Sequence, residues 1–506
     1  MLNRRDLYQA HRLSMQRIGM ALLAGEPDLP DPPTRRLTVS VFAGAMVGVL
    51  VLAGFGIVGL LKPGGATGLQ ASGTLIIEKE TGTKFVYSQQ DGKLYPVANY
   101  TSARLILNTA NPHLRSVSRA SLGKFDRGKP VGILGAPDSL PDAGHQVRGP
   151  FSMCVRNGEL GTGGTRSYSS LVVGRATGGR SLSDREAVVV SAGGQSWVIW
   201  HNQRMKLPAE EVRPISGTDD PPEVSTTWLN AVPAGPEFRS PPVPDRGKTV
   251  TAPGGGRAAV GTFYRVSTVG GDERWYVLLS DGLAPITQTE GVLLQNDPNS
   301  KLAYKNGPVQ PVSIDAATAN SAQRSSMKPS ADGLPPVMPK IITRDGTTLL
   351  CVVYSDTEKG SLDARVAVGG SIPAVTDAAN GAASGAANGA AAQANVVDQV
   401  VIPPGHGALL GLLPAANQPV TGYALLTDQG LRFPVPSADV ASKLGLDTKL
   451  VAPIPGNLLH LIPQGPTLDP AQATKPVSNP GQQSGGDAGQ KTTGIPGQAG
   501  ASSAPG

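Results

Sequence analysis

Leu37-Thr38-Val39-Ser40-Val41-Phe42-Ala43-Gly44-Ala45-Met46 opens a run that continues without a charge to Leu61 (LTVSVFAGAMVGVLVLAGFGIVGLL), and Arg35-Arg36 and Lys62 bracket it. An α-helix rises ~1.5 Å per residue, so about 20 residues cross the ~30 Å hydrocarbon layer of a bilayer. A cleaved signal sequence has only about 7–15 apolar residues after a short basic start. Here 36 residues come first. We therefore read 37–61 as an uncleaved transmembrane helix. Arg17, Arg35 and Arg36 flank its N-terminal side, against Lys62 and Lys79 on the other. This bias predicts a cytoplasmic N-terminus and a long C-terminal region outside. Gly44 and Gly48 form one GxxxG, a spacing that lets two helix backbones approach. They are candidate transmembrane packing residues, although glycine is common in membrane helices in any case.

The rest of the 506-residue chain is long enough for several units. Glycine (64) and proline (45) make up about a fifth of it, well above the usual share. Charged residues are 16% and aromatics 4%, which excludes a long coiled coil and disfavours a compact all-helical enzyme. A hydrophobic content of 39% still suffices for buried cores. The net charge of +6 is small, and no Lys/Arg stripe interleaved with aromatics marks a nucleic-acid groove.

Cys154 and Cys351 are the two cysteines, far apart and without a CxxC pattern. Thiolate metal sites need more ligands. Two buried thiols or one disulfide remain, and the compartment decides between them. With the C-terminal region outside, a Cys154–Cys351 disulfide is the expectation. Both residues lie in strand-like text, Phe151–Val155 and Leu349–Tyr354. A bridge would staple these distant segments into one unit.

Before the span, Arg4–Leu23 has helical periodicity. Leu7, Met15, Ile18 and Leu22 fall on one side, and Arg5, Arg12 and Gln16 lie opposite. Gly25 to Pro33, rich in proline, ends the helix and forms a stiff spacer. An apolar stripe on so short an arm needs a partner, either a cytoplasmic subunit or the lipid surface. Leu7, Ile18 and Leu22 are the candidate assembly residues.

Outside, the text repeats. Phe85 to Val97, Trp197 to Pro208, Tyr276 to Ile286 and Tyr423 to Val435 each read as a strand, a polar turn and a second strand ended near proline. Asp91-Gly92 and Asp281-Gly282 suit a type I′ turn, which needs positive φ. Short helices follow, with Ser437 as a cap before Asp439–Gly445 and Thr101-Ser102 before Ala103–Leu107. Pro-x-Gly-Pro loops at 233–236 and 463–466 close the unit. A lone hairpin is marginal in water, so each copy needs its helix or a neighbour. The copies are spaced too unevenly for a solenoid of fixed period.

The expected fold is a single-span membrane protein, α+β and β-rich outside, with four hairpin/helix modules around a split central β domain. In order, the layout is a cytoplasmic amphipathic arm (1–36), the transmembrane helix (37–61), module 1 (62–148) and the first half of the central domain (149–195). Modules 2 (196–262) and 3 (263–329) follow, then the second half of the central domain with an Ala/Gly loop (330–403), module 4 (404–473) and a disordered tail (474–506).

Chemistry-bearing motifs are scarce. The nearest phosphate-loop text, Gly485 to Thr492, has Gln490 where glycine is required. The six histidines (His11, His113, His145, His201, His406, His460) form no HExxH, and no GxSxG elbow occurs. No catalytic, cofactor-binding or metal residue is assigned.

Several features together carry a resemblance. They are Arg4-Arg5-Asp6, Gln9-Ala10-His11-Arg12, Gly25-Glu26-Pro27-Asp28, Pro32-Pro33 and Arg35-Arg36, then one span, then Gly92-Lys93-Leu94-Tyr95-Pro96-Val97 and Gly135-Ala136-Pro137-Asp138-Ser139-Leu140-Pro141. This arrangement resembles EccB, the membrane component of actinobacterial type VII (ESX) secretion systems, over nearly the whole chain except the Ala/Gly tract and tail. The resemblance implies an inner (cell) membrane complex with EccC-, EccD- and EccE-like subunits and a mycosin protease. It also implies four periplasmic repeats around a disulfide-containing domain, pairing with a second copy, and a cytoplasmic helix that helps assembly. Members have been labelled ATPases, but none of the residues here matches a nucleotide motif. The leading expectation is a bitopic scaffold for protein export without a cofactor. The alternatives are an ATP hydrolase and an anchor gripping peptidoglycan.

Overall fold

The structure, a computed structural model, describes residues 3–25, 33–61, 68–159, 164–267, 273–330, 332–372 and 395–477. Helix α1 (Arg4–Ala24) stops at Gly25, whose φ of 73° lets its N–H donate to the Ala21 carbonyl. Helix α2 spans Pro33–Leu61, beginning four residues before the apolar run. Proline is suited to that start, because its missing N–H would have no helical partner there. Of α2, Leu37–Ile57 is long and apolar enough to cross a membrane. At ~1.5 Å per residue it is about 31 Å long, matching the hydrocarbon layer.

Beyond α2 lie four four-stranded sheets that share one strand order. The first contains β1 (Thr74–Glu78), β2 (Lys84–Tyr87), β3 (Leu94–Val97) and β4 (His113–Val117), with helix α3 (Tyr100–Leu107) before β4. Its order is β3-β2-β1-β4, and β4 returns parallel to β1. Helix α4 (Arg119–Leu122) follows.

The chain then enters the central sheet through β5 (Phe151–Glu159), β6 (Thr165–Val173) and β7 (Arg180–Ser181). A second unit follows with β8 (Glu186–Ala192), β9 (Gln195–Trp200), β10 (Gln203–Leu207), α5 (Ala209–Ser216) and α6 (Thr226–Ala231). A short hairpin, β11 (Thr249–Thr251) and β12 (Arg257–Ala259), leads to the third unit. That unit has β13 (Phe263–Ser267), β14 (Glu273–Leu279), β15 (Gly282–Ile286), α7 (Gln288–Asn296), β16 (Val312–Ser313) and α8 (Ala316–Ser321). β17 (Lys340–Ile341) then pairs parallel with the start of β8.

β18 (Leu350–Tyr354), β19 (Arg365–Val368) and β20 (Gln399–Val401) complete the central sheet, in the order β20-β6-β5-β18-β19-β7. The fourth unit is β21 (Ala408–Leu413), β22 (Thr421–Leu426), β23 (Arg432–Val435), a helix at Ala438–Lys443, and β24 (Ala452–Pro455).

The prolines Pro96, Pro285 and Pro434 sit on β3, β15 and β23, each at the end of its sheet's order. An edge strand tolerates a residue that cannot donate to the ladder. Past that edge, a fifth extended segment makes a parallel bridge in every unit: Leu94 with Arg127 (and Val97 with Val131), Arg204 with Ala234, Leu283 with Arg324, and Arg432 with Gln464. The pattern is the same each time. In the second unit Arg204 N–H donates to Pro233 O and Gly235 N–H to Arg204 O; in the fourth, Arg432 N–H donates to Pro463 O and Gly465 N–H to Arg432 O. This explains the Pro-x-Gly-Pro echo, since both loops are pairing segments.

Several expectations need correction. The left-handed pair of a type I′ turn is found at His201-Asn202 (φ 47° and 59°), in a copy without Asp-Gly. In the third unit Leu279 pairs with Gly282, so Ser280-Asp281 is the turn. Gly282 (φ 143°) serves close approach, because a Cβ there would lie 2.5 Å from Gln323 O. In the first unit Gly92 closes a longer loop, with its N–H on Ser88 O. The cap of α3 is Asn99, whose side chain accepts from Ser102 N–H, two residues before the expected Thr101-Ser102. Ser437 does cap its helix, accepting from Val440 N–H.

The boundary at 195/196 moves as well. β8 hydrogen-bonds to β9, so 186–192 belongs to the second unit's sheet and not to the central domain. The stretch from 474 does not begin a tail. Pro476 bridges Val131, and Val477 N–H donates to Pro130 O, because this segment zips onto the first unit. The Ala/Gly tract (373–394) and residues 478–506 lie outside the described residues, and so does the phosphate-loop-like 485–492.

Candidate functional site

Cys154 and Cys351 face each other in register where β5 and β18 pair antiparallel, and they form a disulfide across a sequence separation of 197. Both are fully buried, with Leu349, Val353 and Ile372 around them. The loop that the bridge closes contains the second and third units entire.

The opposite face of the same strands carries the largest core. It joins Phe151, Met153 and Val352 of the central sheet with Val188, Val190 and Trp228 of the second unit and Leu410, Leu426 and Ile454 of the fourth. Polar bonds fix that meeting point. Trp228 Nε1 donates to Met153 O at 3.0 Å. Tyr354 Oη donates to Ala231 O at 2.7 Å, and Asn457 Nδ2 lies 3.2 Å from both Ala231 O and Tyr354 Oη. Three regions of the chain thus share one buried hydrogen-bonded node. Burial pushes the Tyr354 phenol above its ordinary pKa, with Asn457 opposing, so the hydroxyl stays a donor. At the rim, Arg166 pairs with Asp398, which also accepts from Ser169 N–H at 2.8 Å and Ser169 Oγ at 2.7 Å. These bonds tie β6 to the segment entering β20.

The first and fourth units meet separately. Leu105 and Ile133 of the first pack with Leu409, Phe433, Leu468 and Ala473. Arg104 Nη1 donates to Leu444 O at 2.5 Å.

The arm and span have the reverse character. Leu7 is 65% exposed, Ile18 55% and Leu22 82%. Met15 of the expected stripe is exposed as well, and so are Tyr8 and Leu13, so the apolar residues reach beyond that stripe. Gly44 and Gly48 have no neighbouring atoms within 4 Å of a built Cβ. The structure therefore gathers the cysteines into a core, while Leu7, Ile18, Leu22, Gly44 and Gly48 stand on an outward-facing stalk.

Among the described residues, no group of three or more His, Cys, Asp or Glu side chains is placed to hold a metal. His145 and His406 do meet, with ring centroids 5.1 Å apart, where Val147 N–H donates to Gly407 O. The fifth pairing segments of the first and third units, through Arg127 and Arg324, have no proline signature and were not visible in the sequence. The node at Trp228, Tyr354 and Asn457 joins residues far apart in sequence, and no local pattern announces it.

One apolar helix long enough to cross a membrane leads to several β-rich units that meet beside a buried disulfide, a layout that fits a protein anchored by a single span. The family described as type VII secretion system ESX-1, transport TM domain B matches residues 1–477, and the chain belongs to this family, EccB. The chain is 28% identical over 453 residues to the "ESX-2 secretion system ATPase EccB2" of Mycobacterium tuberculosis, covering 86% of this chain and 87% of that one. It is 28% identical over 496 residues to the "ESX-5 secretion system ATPase EccB5" of Mycobacterium marinum, covering 93% of each. Among solved structures, a chain of an intact ESX-5 inner membrane complex is similar, with TM-score 0.58 and 25% identity, covering 95% of this chain and 96% of that one. The fold is also that of the EccB3 dimer from the ESX-3 core complex, with TM-score 0.56, 22% identity, and coverage of 79% and 100%. EccB is a component of the type VII secretion inner-membrane complex.

Proposed function

We propose that this chain is a bitopic scaffold that links the inner-membrane translocase of a type VII secretion system to its periplasmic assembly. The observation that carries this reading is the contrast between the two ends of one chain. Apolar side chains on α1 and α2 are left outward, while the β-rich region buries its own around the Trp228–Tyr354–Asn457 node. A rigid body on a sticky stalk couples partners on two sides of a membrane and needs no chemistry of its own.

In this reading α1 lies in the cytoplasm and docks Leu7, Ile18 and Leu22 on a partner subunit. Gly44 and Gly48 give α2 a close-packing face within the bilayer. The four sheets of common order act as repeat modules around a split central domain that is held shut by Cys154–Cys351. The partners are EccC-, EccD- and EccE-like subunits, a mycosin protease and a second copy of this chain. The word ATPase in the relatives' names carries no residue-level support here, because the nearest phosphate-loop text falls at 485–492, beyond the matched 1–477. Deleting residues 1–36 is expected to disperse the membrane complex on a native gel while the β-rich region stays folded. An intact complex would overturn the docking role.

A further inference from the structure

The second and third units meet where α5 packs on α7. Val212 and Ile215 of α5 share one core with Leu293 of α7 and with Phe238 and Leu334. Within this apolar joint sits a carboxyl group. Glu211 on α5 is 2% exposed, and its Oε2 has no hydrogen-bond partner.

The charged groups around Glu211 do not compensate it. Asp297, at the end of α7, already has its own partners: Arg246 Nη1 at 2.8 Å, Ser240 Oγ at 2.9 Å and Asn299 N–H at 2.9 Å. Arg246 is in turn shared with Ser300 Oγ at 2.8 Å. Burial raises Asp297, but Asn299, Arg246 and Ser240 together outweigh it and hold the group below its ordinary value. Asp297 is therefore an anion near enough to repel a charge on Glu211, and Glu210 on the same helix adds a second. Burial, then Asp297, then Glu210 push Glu211 up to about 8.

A buried carboxylate without a cation is costly, so a closed joint holds Glu211 as the neutral acid. Opening the joint lets water solvate the carboxylate and separates it from Asp297. We propose that the contact between the second and third units is a proton-operated hinge, closed with Glu211 neutral and opened by its ionisation. The sign follows from linkage. The raised group favours the closed form fully below its ordinary pKa near 4.5, and that preference is lost as pH rises towards about 8. The third unit would then swing about Phe238-Arg239, since Ser240 and Arg246 stay bonded to Asp297 of the third unit.

The test is amide exchange of the full chain in detergent, corrected for intrinsic rates, at pH 6 and pH 9. Peptides covering α5 and α7 should lose protection by more than about tenfold at the higher pH, with β5 as an unchanged internal reference. Glu211→Gln, a neutral isostere, should keep α5 and α7 protected at both values. Protection that does not change with pH in the parent chain overturns the proposal. So does an equal loss in Glu211→Gln. If that variant folds poorly, a β5 reference that loses protection will reveal it. Glu211→Met, which removes the charge differently, then carries the same expectation.

Discussion

The third and fourth units share a strand order but not a setting. In the fourth, β24 is mostly buried, and Leu410, Leu426 and Ile454 enter the same core as the central sheet. In the third, the corresponding β16 is two exposed residues. Apart from Leu293, which joins the second unit's core, its apolar side chains close on themselves in two small clusters, one around Phe263, Trp275 and Val277, the other around Tyr264, Tyr276 and Leu283. One topology therefore serves both as a structural keystone and as a largely self-contained outlier. The difference lies in which face of the returning strand finds a neighbour, and it should appear as global against local unfolding.

The largest expected effect tests the staple beneath that outlier. Replacing Cys154 or Cys351 by serine frees a loop set by the 197-residue separation, and chain-entropy arguments put the loss at roughly 5 kcal/mol. The denaturant midpoint of the full chain should fall far, with the central sheet and fourth unit failing together. An unchanged midpoint would mean that the central sheet holds the excursion without help from the bridge.

Two tryptophans sharpen the comparison. Trp228 is fully buried at the shared node, and Trp275 is 7% exposed inside the third unit's own core. Either change to alanine should cost about 3–5 kcal/mol locally. Trp228→Ala removes the Met153 bond as well and should lower the main thermal transition. Trp275→Ala should instead split off an early, minor transition confined to 263–325. A single cooperative transition in both variants would erase the distinction between keystone and outlier.

How much of this was legible depended on the range of the forces involved. The charge-free run at 37–61, the stripe of Leu7, Ile18 and Leu22 and the prolines of the edge strands are local statements, and composition or periodicity carries them. The cysteine pair could be joined because the expected topology puts both residues on the oxidising side. The fifth segments are another matter. Their bridges use backbone at Arg127, Ala234, Arg324 and Gln464, residues that share no single side-chain type, since a ladder hydrogen bond does not read side chains. The node was hidden for a related reason. Trp228 and Met153 are 75 residues apart, and Tyr354 and Ala231 are 123 apart, so burial selected them only after the chain had folded. Turn type failed at Asp281-Gly282 because the glycine was needed by a neighbouring strand, not by the turn.

That same turn supplies the mildest test. Asp281 Oδ1 accepts from Ser325 Oγ at 2.6 Å, and Oδ2 accepts from Ser326 N–H and Oγ, both at 2.9 Å. The carboxylate pins the fifth segment of the third unit to its hairpin. These bonds, led by Ser325, pull Asp281 down to about 2. A depressed carboxyl contributes above its ordinary pKa near 3.8 and loses that contribution as pH falls through about 2. The group is solvent-facing, so the effect is local. Protection of the amides at 323–326, corrected for intrinsic rates, should fall between pH 5 and pH 2, and Asp281→Asn should flatten the difference. Glu211 and Asp281 would thus loosen opposite margins of the third unit at opposite ends of the pH range, one releasing it from its neighbour in base and the other fraying its own edge in acid. If the 323–326 segment proves insensitive to acid, the third unit holds its edge by the backbone bridge at Leu283 and Arg324 alone, and its independence from the rest of the molecule is then a matter of packing rather than charge.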